Sequence, residues 1–147
     1  MGGCSSKDPE VGDQESNMNK PSNTKVKIAI IGEVAVGKTC LARCLLSQKT
    51  QKGKNYGPSY TLEDHKLPIR QADGGHTFVS IRDVAGNLSA QQSVPIYCKD
   101  ADCVLFCYSL DSYKKFAALD DWLKVFKEIE GWDRIPLVLL ATKADLA

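Results

Sequence analysis

The eight residues Gly32-Glu33-Val34-Ala35-Val36-Gly37-Lys38-Thr39 constrain this chain more than any other stretch. They follow an apolar run, Val26 to Ile31, and lead into a helical pattern, Cys40 to Leu46. Strand, glycine-bounded loop and helix form the setting in which G-x-x-x-x-G-K-[ST] cradles phosphate. The glycines let the backbone wrap closely, and successive N–H groups point inward as an anion nest. The following helix adds the partial positive charge of its N-terminus. Lys38 is expected to reach β- and γ-phosphates as a point charge, and the Thr39 hydroxyl to ligate Mg2+. Gly32, Glu33, Val34, Ala35, Val36, Gly37, Lys38, Thr39 and Cys40 form the expected phosphate-binding set.

Composition narrows the remainder. The chain has 147 residues, enough for one domain with a real core. Its net charge of +1 gives no electrostatic footprint for nucleic acid. No apolar run approaches the ~20 residues of a membrane span. The six cysteines, Cys4, Cys40, Cys44, Cys98, Cys103 and Cys107, include no C-x-x-C pair. Free thiols are the expectation, not a zinc site or a disulfide framework.

The first residues, Met1-Gly2-Gly3-Cys4-Ser5-Ser6, match M-G-x-x-x-[ST], the N-myristoylation signal at Gly2. One myristoyl chain anchors weakly, and Cys4 offers a place for a second, palmitoyl chain. Residues 7–24 carry both charges with Asn, Ser and Pro, which reads as a flexible tether and not a polybasic patch. A secretory signal would need an apolar core that is missing.

From Lys25 the pattern is that of a folded domain, expected over residues 25–147. Lys25 to Ile31 reads as a buried parallel strand. The helix after the loop carries Leu41, Leu45 and Leu46 on its expected core face. Gln48 to Ser59 is polar, with Gly and Pro, and reads as a long functional loop. Leu62 to Ile69 and Thr77 to Ile81 read as strands of a hairpin turning at Asp73-Gly74-Gly75. The second leads into Asp83-Val84-Ala85-Gly86. An aspartate at a strand's carboxyl end lies where ligands bind in open α/β sheets. It can hold Mg2+ through water, while the Gly86 N–H approaches a γ-phosphate. Ser89 to Tyr97 is helix-like but interrupted by Pro95. Asp102 to Leu110 reads as a buried strand. Tyr113 to Glu130 reads as one helix whose stripe, Phe116, Leu119, Leu123 and Phe126 with Trp122 and Ile129, packs on the sheet. Leu137 to Ala141 reads as a further buried strand, running into Thr142-Lys143-Ala144-Asp145.

Gly32 to Thr39, Asp83 to Gly86 and Thr142 to Asp145, in that order, resemble the small GTPases of the Ras superfamily. The resemblance covers residues 25–147. Ala35 to Leu41, Pro95, Cys107-Tyr108-Ser109-Leu110 and Thr142 look like the Rho branch; Trp122-Leu123 after Phe116 looks more like Rab. The branch stays open. An N-terminal lipid is similar to that of Arf proteins and of some plant and protist Rab proteins, whereas Rho and most Rab proteins are prenylated at the C-terminus.

The resemblance implies a P-loop NTPase fold: α/β, a doubly wound, mostly parallel sheet with helices on both faces. It implies GTP or GDP with Mg2+ as ligands. Asp145 would accept hydrogen bonds from guanine, the Lys143 stem would lie along the base, and Thr142 completes that set. Lys38 would act in catalysis as well as binding. A switch hydroxyl that binds Mg2+ is expected at Thr61, in Thr61-Leu62-Glu63-Asp64, or at Ser59, in Tyr56-Gly57-Pro58-Ser59. Bound GTP would order residues 55–64 and 84–97, which effectors and exchange factors would read. Signal transduction or vesicle trafficking at the cytoplasmic face of the plasma or an endosomal membrane is the expected setting.

Two residues depart from the family. Asn87 stands where a glutamine orients the attacking water, and it is one methylene shorter. Val34 stands where a small residue usually faces the γ-phosphate. Binding is expected to survive both and hydrolysis to suffer, so a GTP-dependent binding module rivals a slow enzyme. The helix, strand and helix that follow Thr142 to Asp145 in the family are not in the sequence, which reads as incomplete at the C-terminus. Leu137 to Ala141 would then be an apolar edge prone to aggregation, and an inert truncated product is a third reading.

Overall fold

A computed structural model describes residues 24–46, 63–72 and 74–146. Gly2, Cys4, the expected tether, the loop of residues 48–59, Ser59, Thr61 and Asp73 lie outside the described residues. The strands are β1 (Thr24–Ile31), β2 (Glu63–Arg70), β3 (His76–Asp83), β4 (Cys103–Ser109) and β5 (Leu137–Thr142). The helices are α1 (Lys38–Leu45), α2 (Leu88–Gln92), α3 (Val94–Cys98), α4 (Tyr113–Ala117) and α5 (Leu119–Phe126).

The strands form one sheet in the order β2-β3-β1-β4-β5. Only the β2–β3 pair is antiparallel; β1 runs parallel to β3 and β4, and β4 parallel to β5. Helices cover both faces, so the doubly wound α/β arrangement expected from the sequence is the fold. On one face Ala42 of α1 and Val36 of the loop before it pack against Ile30, Val79, Ile81 and Cys107. On the other, α3 and α5 place Val94, Cys98, Leu119, Trp122 and Phe126 over Ala29, Ile31, Val104 and Phe106. Burial pushes the thiols of Cys98 and Cys107 up to about 12, so both are neutral packing groups near pH 7. All five described cysteines are free thiols.

Four expectations need correction. The stripe from Tyr113 is not one helix: α4 ends at Ala117, Ala118 links it to α5, and α5 ends at Phe126. Leu119, Trp122, Phe126 and Ile129 still reach the core, but Phe116 is left half-exposed against Tyr108 and Tyr113. In α1 the buried residues are Lys38 and Ala42, while Leu45 is exposed. β3, read as a strand over Thr77 to Ile81 that leads into Asp83, is longer: it runs from His76 to Asp83, which itself pairs with both β1 and β2. Finally, β5 is not the buried strand first expected but the apolar edge given as the other expectation: Leu137, Val138 and Leu139 are 40–58% exposed. It is a sheet edge, paired on one side with β4 and with no strand on its other side among the described residues.

Pro95 divides Ser89 to Tyr97 as expected. It sits in the first turn of α3, where its missing N–H has no helical acceptor to lose.

Candidate functional site

Three parallel strands deliver the site at their carboxyl ends. Gly32 follows β1, Asp83 closes β3 and Thr142 closes β5. This is the edge at which open α/β sheets bind ligands. The turn from Gly32 to Gly37 is held against the sheet so closely that side chains are excluded at one point. A Cβ on Gly32 would lie 2.2 Å from the Cys107 carbonyl oxygen of β4, and its φ is +141°. Ala35 adopts a left-handed φ of 59° and carries the turn into α1.

Lys38 opens α1 yet points back into the loop. Its Nζ donates to the carbonyls of Gly32 and Glu33, each at 2.8 Å. It is almost fully buried. Burial lowers its pKa from the ordinary value; Asp83, Cys107 and Glu33 oppose that shift. The ammonium is thus held at the centre of the loop without a carboxylate in hydrogen-bond contact among the described residues. Beside it the Thr39 hydroxyl donates to the Asp83 carboxylate. A hydroxyl and a carboxylate that meet this closely are oxygen donors of the kind a hard cation takes. The donor set therefore fits Mg2+, with Thr39 and Asp83 as the residues that would hold it.

Gly86 closes the other side. A Cβ there would lie 2.4 Å from the Val34 nitrogen and 2.6 Å from the Glu33 carbonyl carbon. Residues 84–86 therefore lie directly on the loop. Glu33 adds an unanticipated contact: its carboxylate accepts the Val34 N–H at 2.9 Å.

Asn87 is the N-cap of α2. Its backbone is extended, and its side-chain oxygen accepts the Ala90 N–H at 2.8 Å. That bond satisfies one of the helix's open donors. The signal was present in the sequence, as an asparagine immediately before a helical run.

The strand β5 side is linked to the loop by one hydroxyl. Thr142 Oγ1 contacts the Val36 carbonyl and the Tyr108 carbonyl, the latter at 2.9 Å. Lys143 has a left-handed φ of 57° and pairs with Asp111 at 2.8 Å. Asp145 follows in a short 3-10 turn, Ala144–Leu146, and is exposed. Lys115 of α4 reaches the Ala35 carbonyl at 3.4 Å. The roles of Asp111 and Lys115 were not legible, because neither lies within a motif. Cys40, in the first turn of α1, is half-buried. The structure thus gathers Gly32 through Thr39, Asp83, Gly86 and Thr142 into one site, with Lys143 and Asp145 on its β5 side. Among the described residues no group of three or more His, Cys, Asp or Glu forms a separate metal cluster.

Residues 27–145 match the family described as Ras of Complex, Roc, domain of DAPkinase. The chain belongs to that family, and with it to the small GTPases of the Ras superfamily. It is 28% identical over 136 residues to a GTP-binding RHO-like protein of Candida albicans, covering 91% of this chain and 38% of that protein. It is 28% identical over 130 residues to the Ras-related protein RabL of Dictyostelium discoideum, covering 86% and 60%. It is 30% identical over 131 residues to the GTP-binding protein RHO1 of Eremothecium gossypii, covering 88% and 59%. The chain spans less than two thirds of the length of each of these relatives. Rho-like relatives stand at 28–31% identity and Rab-like ones at 28%, too close to assign a branch.

Proposed function

We propose that this chain is a GTP-binding switch that hydrolyses GTP slowly and is tethered to a membrane by N-terminal acylation. The observation that carries the binding reading is the pairing of Thr39 with Asp83 beside buried Lys38. Lys38 would bind phosphate oxygens, and the loop N–H groups would orient them. Mg2+, held by Thr39 and, through water, by Asp83, supplies neutralisation of phosphate charge when bound. Asp145 would select guanine by accepting from its ring and amino N–H groups. Leu88 and Ile96, exposed on α2 and α3, give residues 84–97 an apolar surface for effectors and exchange factors to read. Residues 55–64 would be the other half of that surface.

The slow-hydrolysis reading rests on Asn87 and Val34. The Asn87 side-chain oxygen accepts the Ala90 N–H, a cap that the short amide would have to give up to turn toward a water. Val34 puts a branched side chain beside the loop's mouth. These same two residues favour the second reading, a GTP-dependent binding module without significant hydrolysis.

The test begins with nucleotide released from purified protein and identified by chromatography; adenine nucleotide would end the guanine reading. Single-turnover hydrolysis is then compared for wild type, Asn87→Gln, Val34→Gly and the double variant, with exchange excluded. The double variant is expected to gain more than the two single gains summed as free energies, because both positions bear on one water. A wild-type rate equal to the double variant's would show that another residue positions water.

The tether makes its own prediction. Gly2→Ala is expected to release the protein to the soluble fraction, since it removes the acylation site. Cys4→Ser is expected to leave transient association, because one chain is marginal. Firm membrane binding by both variants on fractionation would assign the anchoring elsewhere.

A further inference from the structure

The sheet face under α3 and α5 is covered only in part. Strand register puts Asp64, Lys66, Pro68 and Arg70 of β2 on that face, opposite Arg82, Ser80, Phe78 and His76 of β3. Lys25 and Lys27 of β1 lie on it as well, opposite Phe78 and Ser80. Among the described residues no helix packs over this half: Lys25, Lys27, Lys66, Pro68, Arg70, His76 and Phe78 are all exposed.

The acids on this face are already engaged. Asp100 pairs with Lys27 and, at 3.3 Å, with Arg82, which also meets Asp64 at 3.3 Å. Arg82 donates to the Tyr97 carbonyl at 2.6 Å as well, which fixes it in place. Lys99 borders the same open pocket, beside Arg82 and Ile96. Lys25, Lys66, Arg70 and Lys99 have no ion pair among the described residues. Four uncompensated bases thus surround an apolar centre, Phe78 and Pro68, with His76 stacked on Phe78 at 6.4 Å.

We propose that this open half of the sheet face docks on an anionic lipid surface. It is a pleated sheet face, not a walled groove, so it suits an extended surface. Its charge excess is complementary to anionic headgroups, and Phe78 provides an aromatic group for the interfacial layer. The 23 residues that precede Thr24 join the sheet at this end, where Thr24 pairs with Thr77. The nucleotide-site residues lie at the other ends of the same strands. Docking in this way leaves the loop at Gly32 facing away from the lipid. The proposal does not depend on acylation.

The test uses full-length chain made without acylation, so that its outcome is separate from that of the tether. Binding is measured by sedimentation with vesicles of phosphatidylcholine alone and with vesicles containing phosphatidylserine, over lipid concentrations up to the millimolar range. Binding is expected only to the anionic vesicles, and it is expected to weaken as salt shortens the screening length. Lys25→Gln, Lys66→Gln, Arg70→Gln and Lys99→Gln combined should weaken it by roughly six-hundredfold, at roughly fivefold per base. Lys114→Gln, Lys124→Gln, Lys127→Gln and Arg134→Gln combined carry the same charge change on α4, α5 and the turn after it, and should cost far less. Thermal unfolding of both variants checks that each is folded. Equal losses in the two variants would overturn the proposal. So would equal binding to neutral and anionic vesicles, or no binding to either; the face would then fall to an acidic protein partner.

Discussion

Lys38→Ala is expected to weaken nucleotide binding by two orders of magnitude or more. The ammonium sits inside the loop, held by the Gly32 and Glu33 carbonyls and, among the described residues, by no carboxylate in hydrogen-bond contact. An incoming phosphate therefore displaces only neutral acceptors and gains a charged donor. Each hydrogen bond to a charged group is worth ~1.5–3 kcal/mol. Losing two of them gives roughly a hundredfold to ten-thousandfold in affinity. The same substitution also leaves two loop carbonyls without their donor, so the unliganded protein should be somewhat less stable. Titration with a fluorescent GTP analogue, alongside thermal unfolding without nucleotide, separates the two effects. An affinity within twofold of wild type would remove the phosphate-binding assignment of this loop.

Gly32→Ala is expected to damage the fold itself. A methyl group would be driven to 2.2 Å from the Cys107 carbonyl oxygen, and the backbone there has a φ of +141°. The obstructing atom belongs to the main chain of central strand β4, so it cannot rotate aside. Overpacking of this kind costs about 1–3 kcal/mol and a glycine-only backbone conformation a similar amount. Together they should lower the melting temperature on the order of 10 °C. An alanine variant that melts within a degree of wild type and still binds nucleotide would show that the loop is not fixed against β4 as described.

The sequence disclosed the parts of this molecule in which a local pattern alone decides the structure. Gly32 to Thr39 is legible because two glycines, a lysine and a hydroxyl occur at fixed spacing between a strand and a helix. Asp83 is legible because an apolar strand ends in it. Burial was harder to read. Leu137 to Leu139 have the composition of an interior strand, but composition does not say whether anything lies beyond them. Leu45 follows the helical period faithfully and is still exposed. The break at Ala118 left no mark, since Tyr113 to Phe126 keeps its apolar spacing across it. Asn87 carries a second role, as the cap of α2. Comparison with a family glutamine drew attention to its reach toward water, while its position one residue ahead of α2 already marked it as a cap.

The Thr142 hydroxyl, set between the carbonyls of Val36 and Tyr108, has a consequence for how a nucleotide would be held. A nucleotide is a bivalent ligand, with a base at one end and phosphates at the other. When two receptors for such a ligand are joined flexibly, capture by the first leaves the second to be found by diffusion within a modest effective concentration. Here the turn that carries Lys143 and Asp145 and the loop that carries Lys38 are fastened to each other at Thr142. Their separation is preset, so engagement of the base would deliver the phosphates already in place. Affinity would then approach the product of the two contacts, and escape would require both to let go together. Loosening that single fastening would change the lifetime of the bound state while every group that touches the nucleotide remained intact.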